Sequence, residues 1–303
     1  MNKTGTLSRK LAALPQYLRY MSGRVRDEVQ ELGRLAVLLD IMEHELLDTY
    51  FQPILHLRTG ETLGHEALNR PPASPQFPST EHFYDFAGRT DQMFRFEQYC
   101  RRMSLSRYME RLPEAESGKG ELLLFVNVQP GVLYDPRHKS GETLAYLKEL
   151  GLAPERIVFE LTERQAVQDY VRFEKVLSHY REQGFRIAVD DAGSGYNSLK
   201  TLVYLKPEFI KLDKSLIRGI HTSREQQELL GLVREYADRS STRVIAEGIE
   251  TAPELHFLQM AGVEYGQGFA LGRPAHRPER GALPSPVLPY PVKGGCKHVS
   301  SDR

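Results

Sequence analysis

The chain has 303 residues, in which 40 Lys+Arg balance 40 Asp+Glu for a formal net charge of zero. That balance excludes a uniformly basic nucleic-acid binder and a uniformly acidic solvating chain, and 40% hydrophobic with 26% charged residues describes a globular protein of one or two domains. The zero hides a division, because residues 1–26 carry six basic and no acidic side chains, residues 27–273 sum to −9 and residues 274–303 to +3. Cys100 and Cys296 lie too far apart to suggest a disulfide framework and fit a reducing compartment. No apolar run reaches the roughly 18 residues of a membrane span. The best, residues 32–42, is broken by Arg34 and Asp40. The basic start is followed by no apolar core of a secretory signal, so a cytoplasmic protein is expected.

In chain order, Val29, Leu32, Leu35, Leu38, Leu39, Met42 and Leu46 recur at helical spacing and predict one amphipathic N-terminal helix feeding the main domain. Eight short β-branched or aromatic runs then follow, at residues 50–55, 63–68, 122–128, 157–161, 185–189, 209–212, 244–246 and 265–270. Segments of helical period fill 81–112, 142–150, 163–183, 214–239 and 252–260, with Gly151, Gly184 and Gly262 where a helix ends in a left-handed residue. Eight strands alternating with helices predict a (β/α)8 barrel. The long connection after residue 68, opening with Pro71-Pro72, predicts an insertion or lid, and the proline-rich residues after Arg273 an irregular end. The expected parts are a basic helical extension (1–45), a barrel (46–274) and a mobile tail (275–303).

Polar residues cluster at the strand ends: Glu66 in HEALNR, Asn127 in FVNVQP, Glu160 and Glu163 in VFELTER, Asp190-Asp191 in IAVDDAGSG, Lys211 and Asp213 in FIKLD, Glu247 and Glu250 in VIAEGIE, and Gln267 in YGQGFA. In a barrel the C-terminal strand ends share one face, where chemistry is placed. Converging carboxylates repel unless a cation neutralises them, and oxygen donors without a His or Cys cluster favour Mg²⁺ or Mn²⁺ over zinc. Asp190-Asp191 could touch two ions, Lys211 could orient a water or screen a phosphoryl oxygen, and Arg70 could fork a phosphate. Together these residue types point to metal-assisted hydrolysis of a phosphodiester.

The strings HEALNR, NVQP, ELTER, DDAGSGYNSL, IKLDKSLI, VIAEGIET and YGQGFALGRP, in this order, closely resemble the EAL family of cyclic di-GMP phosphodiesterases over residues 46–274. The resemblance implies a TIM-like barrel with an antiparallel first strand, two Mg²⁺ or Mn²⁺ ions, a homodimer, and cleavage of cyclic di-GMP to linear pGpG. It implies Glu66, Asn127, Glu160 and Asp190 as metal ligands, Asp191 as the acid of a second metal, and Lys211 and Glu247 as holders or activators of the water. Arg70 and Gln267 correspond to substrate-binding positions, Glu163 to the acid bracing the loop after strand five. Ala192, Ser194 and Gln129 stand where the family commonly has Phe, Thr and Ser, and Ala192 removes an aromatic anchor from that loop. A non-hydrolytic cyclic di-GMP receptor signalling through its N-terminal helix or a partner is the alternative, although no ligand position is lost.

Blander readings attach to several features. Glu163 could simply cap the following helix. Gly193-Ser194-Gly195 imitates a dinucleotide loop, but Ser198 replaces the third glycine and two aspartates would repel a pyrophosphate. His65 should point away from Glu66 by strand alternation, the aromatic residues 83–94 should pack a core or lid, and no DNA or RNA polymer is an expected partner.

Overall fold

The computed structural model describes residues 4–113, 122–129, 141–162, 170–193 and 198–284. Eight strands close into one barrel in sequence order. They are β1 (Asp48–His56), β2 (Thr62–Arg70), β3 (Leu123–Asn127), β4 (Ile157–Thr162), β5 (Arg186–Ala192), β6 (Phe209–Leu212), β7 (Arg243–Ala246) and β8 (Tyr265–Gly266). β1 pairs antiparallel with both β2 and β8, and every other neighbouring pair is parallel. The barrel and its reversed first strand are therefore as expected. β8 is shorter than the predicted 265–270, because the chain turns at Gly268 (φ +159°), where a Cβ would lie 2.2 Å from the Ile249 carbonyl oxygen.

Strand alternation divides the core. Leu124, Val126, Phe159, Ile187, Val189, Ile210, Val244 and Ala246 belong to the large cluster packed beneath the helices. Their neighbours Phe125, Val158, Ala188, Phe209 and Ile245, with Ile54 and Tyr265, form a separate cluster inside the barrel. Two residues further along the same strands come Asn127, Glu160, Asp190, Lys211 and Glu247. Since residues i and i+2 share a face, the apolar layer is the floor on which the polar residues stand.

The helices are α1 (Thr4–Glu43), α2 (Thr80–Ala87), α3 (Met93–Arg111), α4 (Glu142–Leu150), α5 (Tyr170–Glu182), α6 (Ser198–Leu205), α7 (Lys214–Ile217), α8 (Arg224–Ser240) and α9 (Ala252–Met260). Two helices predicted as continuous are broken. Residues 88–92 separate α2 from α3, with the Gly88 N–H donating to Tyr84 O. Between α7 and α8, Gly219 takes φ +75° and Ser223 caps α8 by accepting from Gln226 N. Helix α6 has no counterpart among the predicted segments.

Leu38 and Ile41 of α1 join Phe77, Phe83, Phe86 and Phe96 in a satellite core, so the N-terminal helix docks on the insertion after β2. The opposite face of α1 leaves Val25, Val29, Leu32 and Leu39 exposed. The expected mobile tail begins instead as a segment seated on the barrel. Ala275 exchanges backbone hydrogen bonds with Phe51, His65 Nε2 lies 2.9 Å from Glu279 O, and Gly281 N donates to Thr62 Oγ1. Residues 285–303, Cys296 among them, lie outside the described residues.

Candidate active site

Lys211 ends the inner row of β6 with no exposed surface, and four carboxylates from four other strands or their ends surround its ammonium. Nζ lies 2.6 Å from Glu160 Oε1, 2.7 Å from Glu247 Oε1, and 3.3 Å from both Glu66 Oε2 and Asp190 Oδ1. Asn127 Nδ2 donates to Glu160 Oε2 (3.2 Å) and Glu66 Oε1 (3.4 Å), tying β2, β3 and β4 together. Gln267 Nε2 donates to Glu66 Oε2 at 2.8 Å. Of the strand-end residues named from the sequence, Glu66, Asn127, Glu160, Asp190, Glu247 and Gln267 thus touch Lys211 or one another, while Arg70, Asp213 and Glu250 stand apart.

Asp191 joins them through a backbone irregularity. Consecutive strand residues point to opposite faces, so Asp190 and Asp191 could not normally share a site. The β5–β6 register shifts between Val189 and Ala192, and Asp191 takes φ +58°. This bulge turns Asp191 back towards the mouth. Ligand oxygens of Asp190, Asp191 and Glu247 then fall within 4.8 Å of one another. Ala192 is buried against the core beside Leu212, so the next side chain serves packing.

The cup is electrostatically over-acidic. Burial pushes the Glu160 carboxyl well above the usual carboxylate range, with Lys211 opposing and Glu66 and Asp190 adding to the rise. Burial likewise pushes Glu247 up to about 8 against the pull of Lys211. Burial alone would lower Lys211, but Asp190, Glu160, Glu247 and Glu66 together hold its ammonium well above the ordinary lysine value. Glu160 Oε1 and Asp190 Oδ1 are buried without an aligned hydrogen-bond donor and meet Lys211 by charge alone. A hard divalent cation fits this donor set, which consists of carboxylates and one amide oxygen with two acceptors uncommitted.

Sequence reading missed Gln52. Buried on β1, it accepts from Gln267 Nε2 through Oε1 (3.2 Å) and donates through Nε2 to Gly272 O (3.1 Å), anchoring Gln267 and through it Glu66. Arg70 is exposed at the end of β2 and lines a side cavity of about 330 Å³ with Asn127, Gln129, Tyr84, Met93 and Phe96. Glu250 lies away from the cup, paired with Arg218 on the surface at 3.0 Å. Asp213 caps α7 through Ser215 N, and Glu163 and Ser194 lie outside the described residues.

Comparison with known proteins places this geometry. Residues 35–274 match the model of the EAL domain family. A cyclic di-GMP phosphodiesterase of Pseudomonas aeruginosa is 32% identical over 226 residues, covering 74% of this chain and 38% of that protein. A probable cyclic di-GMP phosphodiesterase of Escherichia coli is 29% identical over 234 residues, covering 77% and 43% respectively. The first curated relatives are matched over only 31–43% of their own length. Among solved structures, a standalone EAL protein of Vibrio cholerae in its c-di-GMP-bound form superposes with a TM-score of 0.65 at 29% identity, covering 79% of this chain and 94% of that one. A Klebsiella pneumoniae manganese/cyclic di-GMP complex gives 0.69 at 28% identity, covering 78% and 58%.

Proposed function

This chain belongs to the EAL domain family, and from that premise we propose that it hydrolyses cyclic di-GMP to linear pGpG in the cytoplasm, using two Mg²⁺ or Mn²⁺ ions. The observation that carries the reading is the convergence of Glu66, Glu160, Asp190 and Glu247 on one buried lysine. Glu66, Asn127, Glu160 and Asp190 would hold one ion, and Asp190, Asp191 and Glu247 the other. The bound ions would neutralise the phosphodiester's charge and ease deprotonation of the attacking water.

The chain's own groups have separable tasks. Lys211 keeps the carboxylates together and stands in reach of Glu247, so the pair can orient a water and hold its proton at Glu247 Oε1. Gln267, fixed by Gln52, sets the rotamer of Glu66. Arg70 would fork a substrate phosphate at the entrance to the side cavity, whose apolar walls would receive a base. Glu163 is assigned the loop-bracing role on family likeness alone. Steady-state turnover of cyclic di-GMP with each metal tests this reading, and binding without cleavage would replace it with the receptor alternative.

We also propose a homodimer through α1. Its exposed Val25, Val29, Leu32, Ala36 and Leu39 repeat at four- and three-residue intervals, the spacing of a coiled-coil seam. Centred on Leu32, an antiparallel second copy lays this seam on itself and brings Arg24 and Arg26 towards Asp40 of the other copy. Leu32→Glu should make the protein monomeric in sedimentation, and an unchanged dimer would exclude this seam.

A further inference from the structure

The closed, N-terminal end of the barrel carries an opposite arrangement of charge. Arg156 immediately precedes β4, Arg186 begins β5 and Arg243 begins β7, each four residues before an acid of the cup: Glu160, Asp190 and Glu247. Residues i and i+4 of a strand share a face about 13 Å apart. The interior is therefore stratified, with arginines below, Val158, Ala188 and Ile245 between, and carboxylates above.

These three arginines, with Arg280 from the seated tail, line a cavity of about 840 Å³ together with His56 and Tyr265. Among the described residues, two carboxylates, Glu61 and Glu155, share it. Elsewhere arginines find acids readily, as in Arg181–Glu208 and Arg239–Glu235. Among the described residues none of Arg156, Arg186 and Arg243 has such a partner. Arg156 donates through Nε to Leu122 O, yet its Nη2 is buried without any partner. Arg243 sits 5.9 Å from the ring centroids of both Phe209 and Tyr265, which fix its guanidinium at the cavity wall, and His56 meets Tyr265 edge-on.

We propose that this cavity is a second ligand site, for a small molecule bearing a di- or triphosphate group. Guanidiniums present parallel donors that match phosphate oxygens, and several of them around one concave mouth compensate several negative charges. A single carboxylate would leave most of that potential unmet. The volume lies in the range of small-molecule sites. The Tyr265–His56 pair adds an aromatic edge against which a planar group such as a nucleobase can rest.

Isothermal titration of the full chain in metal-free buffer with inorganic pyrophosphate, triphosphate and GTP tests the site while keeping the catalytic cup from recruiting phosphate through bound ions. The expected result is one saturable site, weakened about tenfold by each of Arg186→Gln and Arg243→Gln and unchanged by Arg70→Gln at the opposite mouth. Tighter binding of GTP than of triphosphate identifies a nucleotide as the ligand, and equal binding a free polyphosphate. Hydrogen exchange on the unmutated chain supplies a readout independent of how the variants fold, with slowed exchange expected at residues 156, 186 and 243. No saturable binding, binding indifferent to the arginine substitutions, or loss of binding in Arg70→Gln would each overturn the proposal.

Discussion

Lys211 Nζ and Glu160 Oε1 stand 2.6 Å apart with both side chains essentially inaccessible to water. Removing one member of such a buried pair strands the other, at a cost of about 3–5 kcal/mol. Lys211→Met should therefore destabilise the chelator-treated protein by about that amount in urea unfolding, with much of the loss recovered on adding Mg²⁺ or Mn²⁺. Hydrolysis should be abolished. Equal destabilisation with and without metal would contradict a shared role for ammonium and ion.

Protonation of the cup gives a second prediction. Burial raises Glu247 to about 8 and holds Glu160 above the usual range in the metal-free state. A carboxyl whose folded pKa is raised binds more protons folded than unfolded, so its contribution to stability falls as pH rises from about 4.5 towards 8. The melting temperature of metal-free protein should decline across that interval more than that of metal-loaded protein. Metal binding near neutral pH should release protons, which calorimetry in buffers of different ionisation enthalpy measures.

At Asp191 the left-handed backbone and the carboxylate can be separated by substitution. Asp191→Asn keeps the tolerance of that conformation and should leave stability nearly unchanged while weakening the second of two metal-binding events. Asp191→Ala should lose about 1 kcal/mol more stability from backbone strain. A metal titration unaffected by Asp191→Asn would remove this residue from the ligand set.

Gln52 acts through Gln267, so its removal should be graded rather than total. Gln52→Ala removes two hydrogen bonds, of which only the one to Gln267 supports the cup; one neutral hydrogen bond is worth about 1 kcal/mol, so kcat should fall about fivefold with little change in KM. Glu250→Ala breaks only an exposed pair with Arg218 and should change neither turnover nor stability by more than about 0.5 kcal/mol.

The strands and most of the cup were legible because alternation on parallel strands sends every second residue inward and their C-terminal ends to one mouth. That same rule concealed Gln52. β1 runs antiparallel, so its contribution to the cup lies towards its N-terminal half, where reading strands to their ends does not look. The Asp190-Asp191 pair was visible as composition, but the bulge that lets both face the mouth depends on pairing with β6. The helix breaks at residues 88–92 and 218–223 are marked in the sequence only by Gly88, Gly219 and polar residues, with no proline to stop the backbone, and the caps that do so depend on local geometry. The arginines at the strand starts repeat four residues before the acids, a signal that gains meaning only once the strands are known to surround one lumen.

The most direct test of the central claim is turnover of cyclic di-GMP by the full chain, titrated with Mg²⁺ and Mn²⁺ and resolved by product chromatography. The account predicts metal-dependent conversion to linear pGpG that disappears in Glu66→Gln and Lys211→Met. Folded protein that binds cyclic di-GMP and leaves it intact at saturating concentrations of both metals would contradict it.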